Sequence, residues 1–334
     1  MKVIRTICYF TRDPGVKIIE RLADLSRRLE ARDFTVQTQR VCTERLTIEE
    51  AERRISSIRI GVGPISLATA AEQADNLCRA RNAYFHIDCT DDDIGLDHAR
   101  LLQRIIKSCA GKTFNVAFSF RSPVSSPYFP CARYEREGFS IGLQPTNLAT
   151  GVSTLDKWLN CMRETWLEIQ ATFESESDFL GIDSSVAPHI GEGCSLVEAL
   201  QSAGISFEKA ILSDTFLRIT DFVQTKNPNP VGLCGLMLPC VEDKHLAELY
   251  ERGEFSLERN LFLSLQCGVG IDTYPIGIDE PAESIAAVLR LVQGLSRKHD
   301  KPLSVRFVSD GRAGIGDHTD FDNPHMCDVV VRRL

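Results

Sequence analysis

Cys267-Gly-Val-Gly-Ile-Asp272-Thr273-Tyr-Pro-Ile-Gly277 lies between two segments that have the apolar periodicity of helices, residues 257–265 and 281–299. Its glycines and proline are unfavourable inside a helix, and the apolar residues before Asp272 predict a short buried strand. An upstream stretch, Gly181-Ile-Asp183-Ser184-Ser185-Val-Ala-Pro188-His189, has the same character. The two stretches predict two strand ends that bring acidic and hydroxyl side chains to one place.

The rest of the chain repeats this alternation of short apolar segments and helical patterns. Residues 3–10 predict a strand, and residues 14–32 predict a helix with an apolar stripe. Residues 232–238 predict a buried strand, and residues 327–332 predict a last one. About ten or eleven strands separated by helices favour a mostly parallel sheet, and a sheet of that size curls or closes. We therefore predict a single α/β domain over residues 1–334.

Composition excludes several classes of protein. Among 334 residues, 43% are hydrophobic and the net charge is −8, which disfavours nucleic-acid and membrane partners. No apolar run approaches the ~20 residues that span a bilayer. The twelve cysteines are scattered without a C-x-x-C pair, and no secretory signal is recognised, so a reduced, cytoplasmic protein is expected. The sequence contains neither a Walker A loop nor a dinucleotide-binding glycine loop, so no ATP or NAD cofactor is expected.

Four side chains are candidates for catalysis: Asp183, Asp272, His189 and Cys267. In parallel α/β folds, functional groups gather at the carboxyl ends of strands, where both aspartates are predicted to lie. Asp183 could ligate a metal, act as a base or bind an amine, and its alternative role is to cap the following turn. His189 and the nearby Glu192 are either an acid–base pair or a pair on a surface loop. Cys267 is either a nucleophile or a packed core residue.

Polar side chains near these positions are expected to contact the substrate. Ser184 and Thr273 each follow a candidate aspartate, and Asn147 lies in a polar corner bounded by glycine. Arg306 or Arg312 would bind the negative charge of a substrate, because a planar guanidinium matches a carboxylate or phosphate. We therefore expect a small, polar and anionic ligand.

The densest polar cluster of the chain is the stretch 314–325. If the chain is extended there, His318, Asp320 and Asp322 point to one side. One imidazole and two carboxylates would suit Mn, Fe or Zn, whereas the spacing does not match a calcium EF-hand. The alternatives are a polar loop without a metal, or an anion site formed by the N–H groups of the glycines.

Four blocks of the sequence resemble blocks of one protein family in the same order. They are Gly181-Ile-Asp-Ser-Ser-Val-Ala-Pro188, Gly232-Leu-Cys-Gly-Leu-Met-Leu-Pro239, Cys267-Gly-Val-Gly-Ile-Asp-Thr-Tyr-Pro275 and Lys301-Pro-Leu-Ser-Val-Arg306. On these blocks the chain resembles the domain-of-unknown-function 711 family over nearly its whole length. The resemblance implies a ten-stranded, mostly parallel α/β barrel similar to that of the glycyl-radical enzymes, the pyruvate formate-lyase and ribonucleotide reductase group. It does not imply radical chemistry, because residues 310–318 lack the glycine-loop sequence of those enzymes.

Together these patterns predict a soluble enzyme of small-molecule metabolism, either a lyase, a hydrolase or an isomerase. Its chemistry would be polar acid–base or metal-assisted rather than radical, and the divalent metal is the one cofactor for which the sequence offers ligands. The alternative is a metabolite-binding regulatory protein without turnover. A homodimer is expected because it is the commonest assembly of soluble proteins.

Overall fold

A computed structural model of the protein describes residues 2–334. Its strands are β1 (Lys2–Phe10), β2 (Phe34–Val36), β3 (Gln39–Cys42), β4 (Arg59–Gly61), β5 (Ala83–Asp88), β6 (Val116–Phe120), β7 (Gly138–Leu143), β8 (Phe179–Asp183), β9 (Gly270–Pro275) and β10 (Leu303–Val308). Its helices are α1 (Val16–Glu30), α2 (Ile48–Arg54), α3 (Leu67–Arg79), α4 (Leu96–Cys109), α5 (Leu155–Phe173), α6 (Leu196–Ser202), α7 (Phe207–Ile211), α8 (Thr215–Thr225), α9 (Lys244–Glu251), α10 (Leu257–Gln266) and α11 (Ala282–His299). Two short 3-10 helices cover Ala110–Asn115 and Thr146–Ala149.

The ten strands form one sheet in the order β8-β7-β1-β3-β4-β5-β6-β10-β9, with β2 beside the start of β1. Neighbouring strands are parallel except where β7 meets β1 and where β10 meets β6. The prediction of an α/β fold with a ten-stranded, mostly parallel sheet is therefore confirmed. The two antiparallel contacts place the carboxyl ends of β8 and β9 at the same edge as the amino ends of β1 and β3 to β6.

Residues 229–240, here called the bridging segment, run between the two outermost strands of the sheet. On one side, the Val231 N–H donates to the Ile182 carbonyl of β8 over 3.1 Å. On the other side, the Cys240 N–H donates to the Asp272 carbonyl of β9 over 2.9 Å. The segment thus contacts both edges of the sheet, although β8 and β9 form no ladder with each other within residues 2–334.

Two segments predicted as strands do not form regular strands. Residues 232–238 make one isolated bridge, between Leu236 and Val186, because Gly232 and Cys234 have φ values of 75° and 43°, which are incompatible with an extended chain. Residues 327–332 make one isolated bridge, between Val330 and His318. The predictions of strands in these two segments are wrong, since apolar composition alone does not exclude a turned backbone.

Alternation along the strands gives the sheet a helix-covered face and an inner face. In β3, Val41 packs with the large core beneath the helices, whereas Cys42 belongs to a separate cluster on the inner face. The members of this inner cluster are Cys8, Phe10, Cys42, Ala132, Tyr134 and Leu180. Arg40, two residues before Cys42, therefore faces the same interior.

Residues 121–137, here called the inner loop, cover the half of the inner face at the carboxyl ends of β1 and β3. His86 of β5 holds this loop, because its Nδ1 donates to the Pro130 carbonyl over 2.9 Å. Its Nε2 is therefore unprotonated and accepts from the Ser122 hydroxyl over 2.9 Å. The loop leaves a cavity over the other half of the inner face, at the amino ends of β3 to β6.

Two sequence expectations concern the environment of the chain. Cys78 and Cys109 form a disulfide that links α3 to α4, which differs from the expected fully reduced chain. The other ten cysteines are free and most are buried, as expected of small core residues. Within residues 2–334, no helix combines the length and the apolar character that a membrane crossing requires.

Candidate functional site

The cavity on the inner face has a volume of about 420 Å³. Strands β1, β3, β4, β5, β6, β9 and β10 each contribute at least one side chain to its lining, as do the bridging segment and the inner loop. Its charged and polar lining residues include Arg5, Arg40, Arg59, Arg306, Glu242, Asp272, His189, His325, Tyr84 and Tyr128. The cavity is the place where charged side chains converge on the inner face.

Three arginines form one wall of the cavity. Arg5, Arg40 and Arg59 come from β1, β3 and β4, which are adjacent in the sheet. Within residues 2–334, none of the three forms an ion pair with a carboxylate. Arg59 Nε donates to the Tyr84 hydroxyl over 3.3 Å, and an Arg5 Nη donates to a glutamine oxygen over 3.4 Å. This wall therefore carries positive charge that the protein itself does not neutralise.

Arg40 is the most buried of the three, with 9% of its surface exposed. One Nη donates to the Pro127 carbonyl over 3.3 Å, and the guanidinium lies 5.0 Å from the centre of the Phe129 ring. Its Nε has no hydrogen-bond partner. Burial first, and then the neighbouring Arg5, lowers the pKa of Arg40 to about 10. A guanidinium in this position gains stability from an anion in the cavity.

A β-bulge directs Arg5 into the cavity. Ile4 pairs with Leu143 and Thr6 pairs with Gly142, so Arg5 is the extra residue of β1 against β7. A bulge interrupts the alternation of a strand and re-aims one side chain, and bulges are frequent beside active sites. Without the bulge, Arg5 would face away from the interior side on which Cys8 and Phe10 pack.

The opposite wall is a buried ion cluster of one arginine and two carboxylates. Arg306 Nε donates to Asp272 Oδ1 over 2.7 Å, and an Arg306 Nη donates to Glu242 Oε1. The side chains of Arg306, Glu242 and Asp272 are 8%, 9% and 13% exposed. Burial raises the pKa of Glu242, while the charge of Arg306 opposes that change. The arginine that the sequence suggested for binding substrate charge is thus occupied by two carboxylates of the protein.

A second bulge positions Asp272. Between two paired positions of β9 and β10, β9 advances by three residues while β10 advances by two. The extra residue leaves Thr273 at a φ of 40°, which is unusual for a β-branched side chain and costs ~1–3 kcal/mol. The buried Thr273 hydroxyl has no hydrogen-bond partner among residues 2–334. The predicted Asp272–Thr273 corner is therefore a strained bulge, and its carboxylate lines the cavity.

His189 lines the cavity in a defined tautomer. Its Nδ1 donates to the Ile190 carbonyl over 2.7 Å, so the neutral ring has its lone pair on Nε2. The Gln37 amide lies 3.4 Å from this Nε2 and can donate to it. Burial first, and then the charge of Arg5, lowers the pKa of His189 to about 4. The exposed Glu192 forms no ion pair with His189 in the described chain, so His189 faces the cavity as a neutral base.

Asp183 lies outside the cavity lining and joins three segments of the fold. Its Oδ1 accepts from the N–H groups of Ser185 and Cys234 over 3.1 Å each, and from the Ser185 hydroxyl. Its Oδ2 accepts from the Ser126 hydroxyl over 2.7 Å and from the Leu233 N–H over 3.0 Å. These bonds connect the end of β8 to the inner loop and to the bridging segment, and they occupy both oxygens.

Three other predicted residues lie away from the cavity. Cys267 is buried, its Sγ donates to the Leu263 carbonyl over 3.3 Å, and burial raises its pKa to about 12. The Ser184 hydroxyl donates to the Val223 carbonyl over 2.6 Å. Asn147 lies in the second 3-10 helix and does not line the cavity. The structure therefore does not bring these side chains to Asp272.

The tail does not assemble the predicted metal ligands. Asp322 has a φ of 47°, so the chain is not extended there and the expected alternation does not hold. His318 is 59% exposed and approaches Glu251, while Asp320 pairs with the exposed Arg312. His318, Asp320 and Asp322 therefore do not form a compact group of ligands. The residue of this stretch that reaches the cavity is His325.

Within residues 2–334, three side chains of the kinds that bind metals lie close enough together to share an ion: those of Cys89, Asp92 and His98. The Gly95 N–H donates to His98 Nδ1 over 3.3 Å, so Nε2 carries the proton and donates to Asp92 over 3.1 Å. A metal on Nε2 would require the proton to move to Nδ1, where it would oppose the Gly95 N–H. This group therefore has the hydrogen bonds of a helix start rather than those of a metal site.

The family profile described as "Uncharacterised ACR (DUF711)" matches residues 66–322 of the chain. A UPF0210 protein of Lactobacillus helveticus is 26% identical over 145 residues, which cover 42% of this chain and 32% of that relative. The UPF0210 protein of Methanocaldococcus jannaschii is 26% identical over 152 residues, and that of Thermoanaerobacter sp. is 28% identical over 145 residues. Each of these alignments covers 42% of this chain and 32% of the relative. The chain thus spans about a third of the length of these curated relatives.

Proposed function

We propose that this chain, which belongs to the DUF711 family, is an enzyme that acts on a small anionic metabolite by polar acid–base chemistry in the cavity. The observation that carries the proposal is the wall formed by Arg5, Arg40 and Arg59, which has no carboxylate partner. Buried cations are normally paired, so a cavity wall of one buried and two half-buried arginines without carboxylates favours an anionic ligand. The chain as a whole has a net charge of −8, so the positive charge of this wall is a local feature that sets the cavity apart from the rest of the protein.

The two walls of the cavity would have different roles. The arginine wall would bind the negative charge of the ligand, because a guanidinium binds carboxylates and phosphates through two N–H groups. The opposite wall would take part in proton transfer through Glu242, whose carboxylate is held by Arg306 and whose pKa is raised by burial. Arg306, itself held by Asp272, would keep that carboxyl group in place.

His189 is the proposed base. In the free protein, burial and the charge of Arg5 lower its pKa to about 4, so it is neutral near pH 7. An anion bound at Arg5 would offset that repulsion and raise the pKa of His189 towards the working pH. Ligand binding would therefore make the imidazole a better base at the moment when a base is needed. Lyase and isomerase reactions that begin with proton abstraction beside a carboxylate fit this arrangement.

We also propose that the sheet closes into a barrel. The bridging segment donates a backbone hydrogen bond to each outer strand, which supports a sheet closed into a barrel around the cavity. Such closure is what the resemblance to the glycyl-radical-enzyme barrel implies, although the residues that carry the proposed reaction are those of polar chemistry. A homodimer remains part of the proposal on general grounds alone.

The test measures proton exchange, which is detectable whatever the overall reaction is. Purified protein would be incubated in D₂O with a panel of small carboxylates and phosphates, and loss of C–H signals would be followed by NMR. We expect exchange or turnover with at least one anion, and His189→Gln to slow it by about a hundredfold or more. The matched control is His299→Gln, on the exposed end of α11, which should leave the rate unchanged.

Two outcomes would contradict the enzyme proposal. If His189→Gln and His299→Gln had equal rates, His189 would not be the base. If anions bound without exchange or turnover of any of them, the alternative of a metabolite-binding regulator would be favoured, since it needs the arginine wall but not the base.

A further inference from the structure

The pairing of β3 with β4 places two arginines directly opposite each other. Arg40 and Arg59 are partners in the parallel register, and both line the cavity. Like charges directly opposite in a sheet are destabilising, and the cost grows when the pair is removed from water. Neither arginine has a carboxylate partner in the described chain. An anionic group between the two side chains would remove this repulsion.

The charged groups of the cavity do not balance. Four arginines and two carboxylates line it, and both carboxylates are engaged by Arg306. Burial lowers the pKa of His189 and that of His325, so both rings are neutral near pH 7. The lining therefore carries two positive charges in excess, which Arg5, Arg40 and Arg59 share.

We infer that the cavity takes a dianion, either a dicarboxylate or a phosphate monoester, with one anionic group between Arg40 and Arg59 and further charge on Arg5. This inference rests on the proposed function and specifies its substrate class. A ligand with two negative charges neutralises the excess of the lining, whereas a monoanion leaves one buried charge uncompensated.

Local geometry gives the Arg40 side chain a fixed orientation. The Pro127 carbonyl holds one Nη, and the Phe129 ring packs against the guanidinium plane, so the side chain is positioned before the ligand arrives. Its Nε is buried without a hydrogen-bond partner in the described chain. On the neighbouring strand, the Tyr84 hydroxyl accepts from Arg59 Nε, which leaves the two Nη groups of Arg59 for the ligand.

The experiment is isothermal titration calorimetry of the full chain at constant ionic strength at pH 8, where phosphate is mainly a dianion. The probes are succinate, inorganic phosphate and glycerol 3-phosphate as dianions, with butyrate as the monoanion. We expect at least one dianion to bind at least about tenfold more tightly than butyrate. Tighter binding of succinate than of the phosphates would identify the dicarboxylate source, and the reverse order would identify the phosphate source.

Variants test the position of the site. Arg40→Met and Arg59→Met should each weaken dianion binding at least about tenfold, whereas Arg163→Met on the exposed side of α5 should not change it. Each variant is checked for folding by thermal unfolding.

The outcomes separate this inference from the proposed function. Equal affinity for succinate, the phosphates and butyrate, with loss of all binding in Arg40→Met, would overturn the dianion and retain the anion site. Binding of no anion at millimolar concentration, or dianion binding that is equal in Arg40→Met and Arg163→Met, would overturn both.

Discussion

Two arginines in the same cavity should respond to the same substitution with opposite signs. Arg40 is buried without a counterion, whereas Arg306 is buried between two carboxylates. We expect Arg40→Met to raise the free energy of unfolding of the ligand-free protein, and Arg306→Met to lower it. Methionine has a similar length and retains the apolar contacts of the stem, so the comparison isolates the charge.

The expected gain for Arg40→Met follows from three contributions. Burial lowers the pKa of Arg40 to about 10, and a departure of that size from the ordinary value corresponds to about 3 kcal/mol against the charged form. The hydrogen bond to the Pro127 carbonyl contributes about 1 kcal/mol in the other direction. The contact with the Phe129 ring contributes about 1 kcal/mol more. The net effect is a stabilisation of about 1 kcal/mol.

The expected loss for Arg306→Met is larger. The substitution leaves Glu242 and Asp272 as buried carboxylates without their cation. Removing one partner of a buried ion pair costs about 3–5 kcal/mol. Protonation of Glu242 would recover part of this loss, because its pKa is already raised by burial. The loss should therefore be smaller at pH 5 than at pH 8.

Urea unfolding in a chloride buffer free of carboxylates and phosphate measures both effects. Arg163→Met, an exposed arginine, is the matched control and should lie within ~0.5 kcal/mol of the wild type. If Arg40→Met destabilised the protein as strongly as Arg306→Met, Arg40 would have a counterion in solution, and the unpaired arginine wall would not exist. When a dianion that binds the cavity is added, the free energy of unfolding of the wild type should exceed that of Arg40→Met.

Two further predictions concern the segments that build the cavity. Asp183→Asn places an amide nitrogen against at least one of three backbone N–H donors, two of them in buried hydrogen bonds, and should cost about 2–3 kcal/mol in urea unfolding. The pKa of His86 is lowered by burial to about 4, so the stability of its neutral form is fully present above about pH 6.5 and falls by about 3 kcal/mol as the pH drops to about 4.

Each of these predictions has its own control. Asp221→Asn changes an exposed aspartate of α8 and should have little effect, so equal losses for Asp183→Asn and Asp221→Asn would show that Asp183 does not hold the three segments together. His86→Gln should flatten the change in stability between pH 7 and pH 4. An unchanged pH profile in that variant would assign the acid sensitivity to other groups.

Part of the site was accessible from local patterns. The Asp272–Thr273 corner and the loop position of His189 were found because glycine, proline and polar residues follow apolar strands. Arg306 was identified in a strand that faces the cavity. Asp183 was found by the same rule, but its hydrogen bonds occupy both oxygens behind the cavity wall. The rule identifies strand ends, and it does not distinguish a side chain that faces a cavity from one that holds the chain.

Arg5, Arg40 and Arg59 were missed, although each is the single arginine of its strand. Alternation places Arg40 and Val41 on opposite faces of the sheet. A strand with one face in water has the same pattern of alternating polar and apolar residues, so the pattern does not reveal a cavity. The register between β3 and β4 is a contact between distant segments, so no local pattern shows that Arg40 and Arg59 are neighbours. Arg5 depends on a bulge that forms only against β7.

By itself the sequence determined the alternation of helices and strands, the parallel character of the sheet and the presence of acidic corners, because these depend on propensities and on periodicity over a few residues. Only the tertiary structure decided which strands are adjacent, which face is interior and which charges are left without partners. Those properties arise when residues far apart in the chain share one low-dielectric space, where an ion that is harmless on a surface must be neutralised.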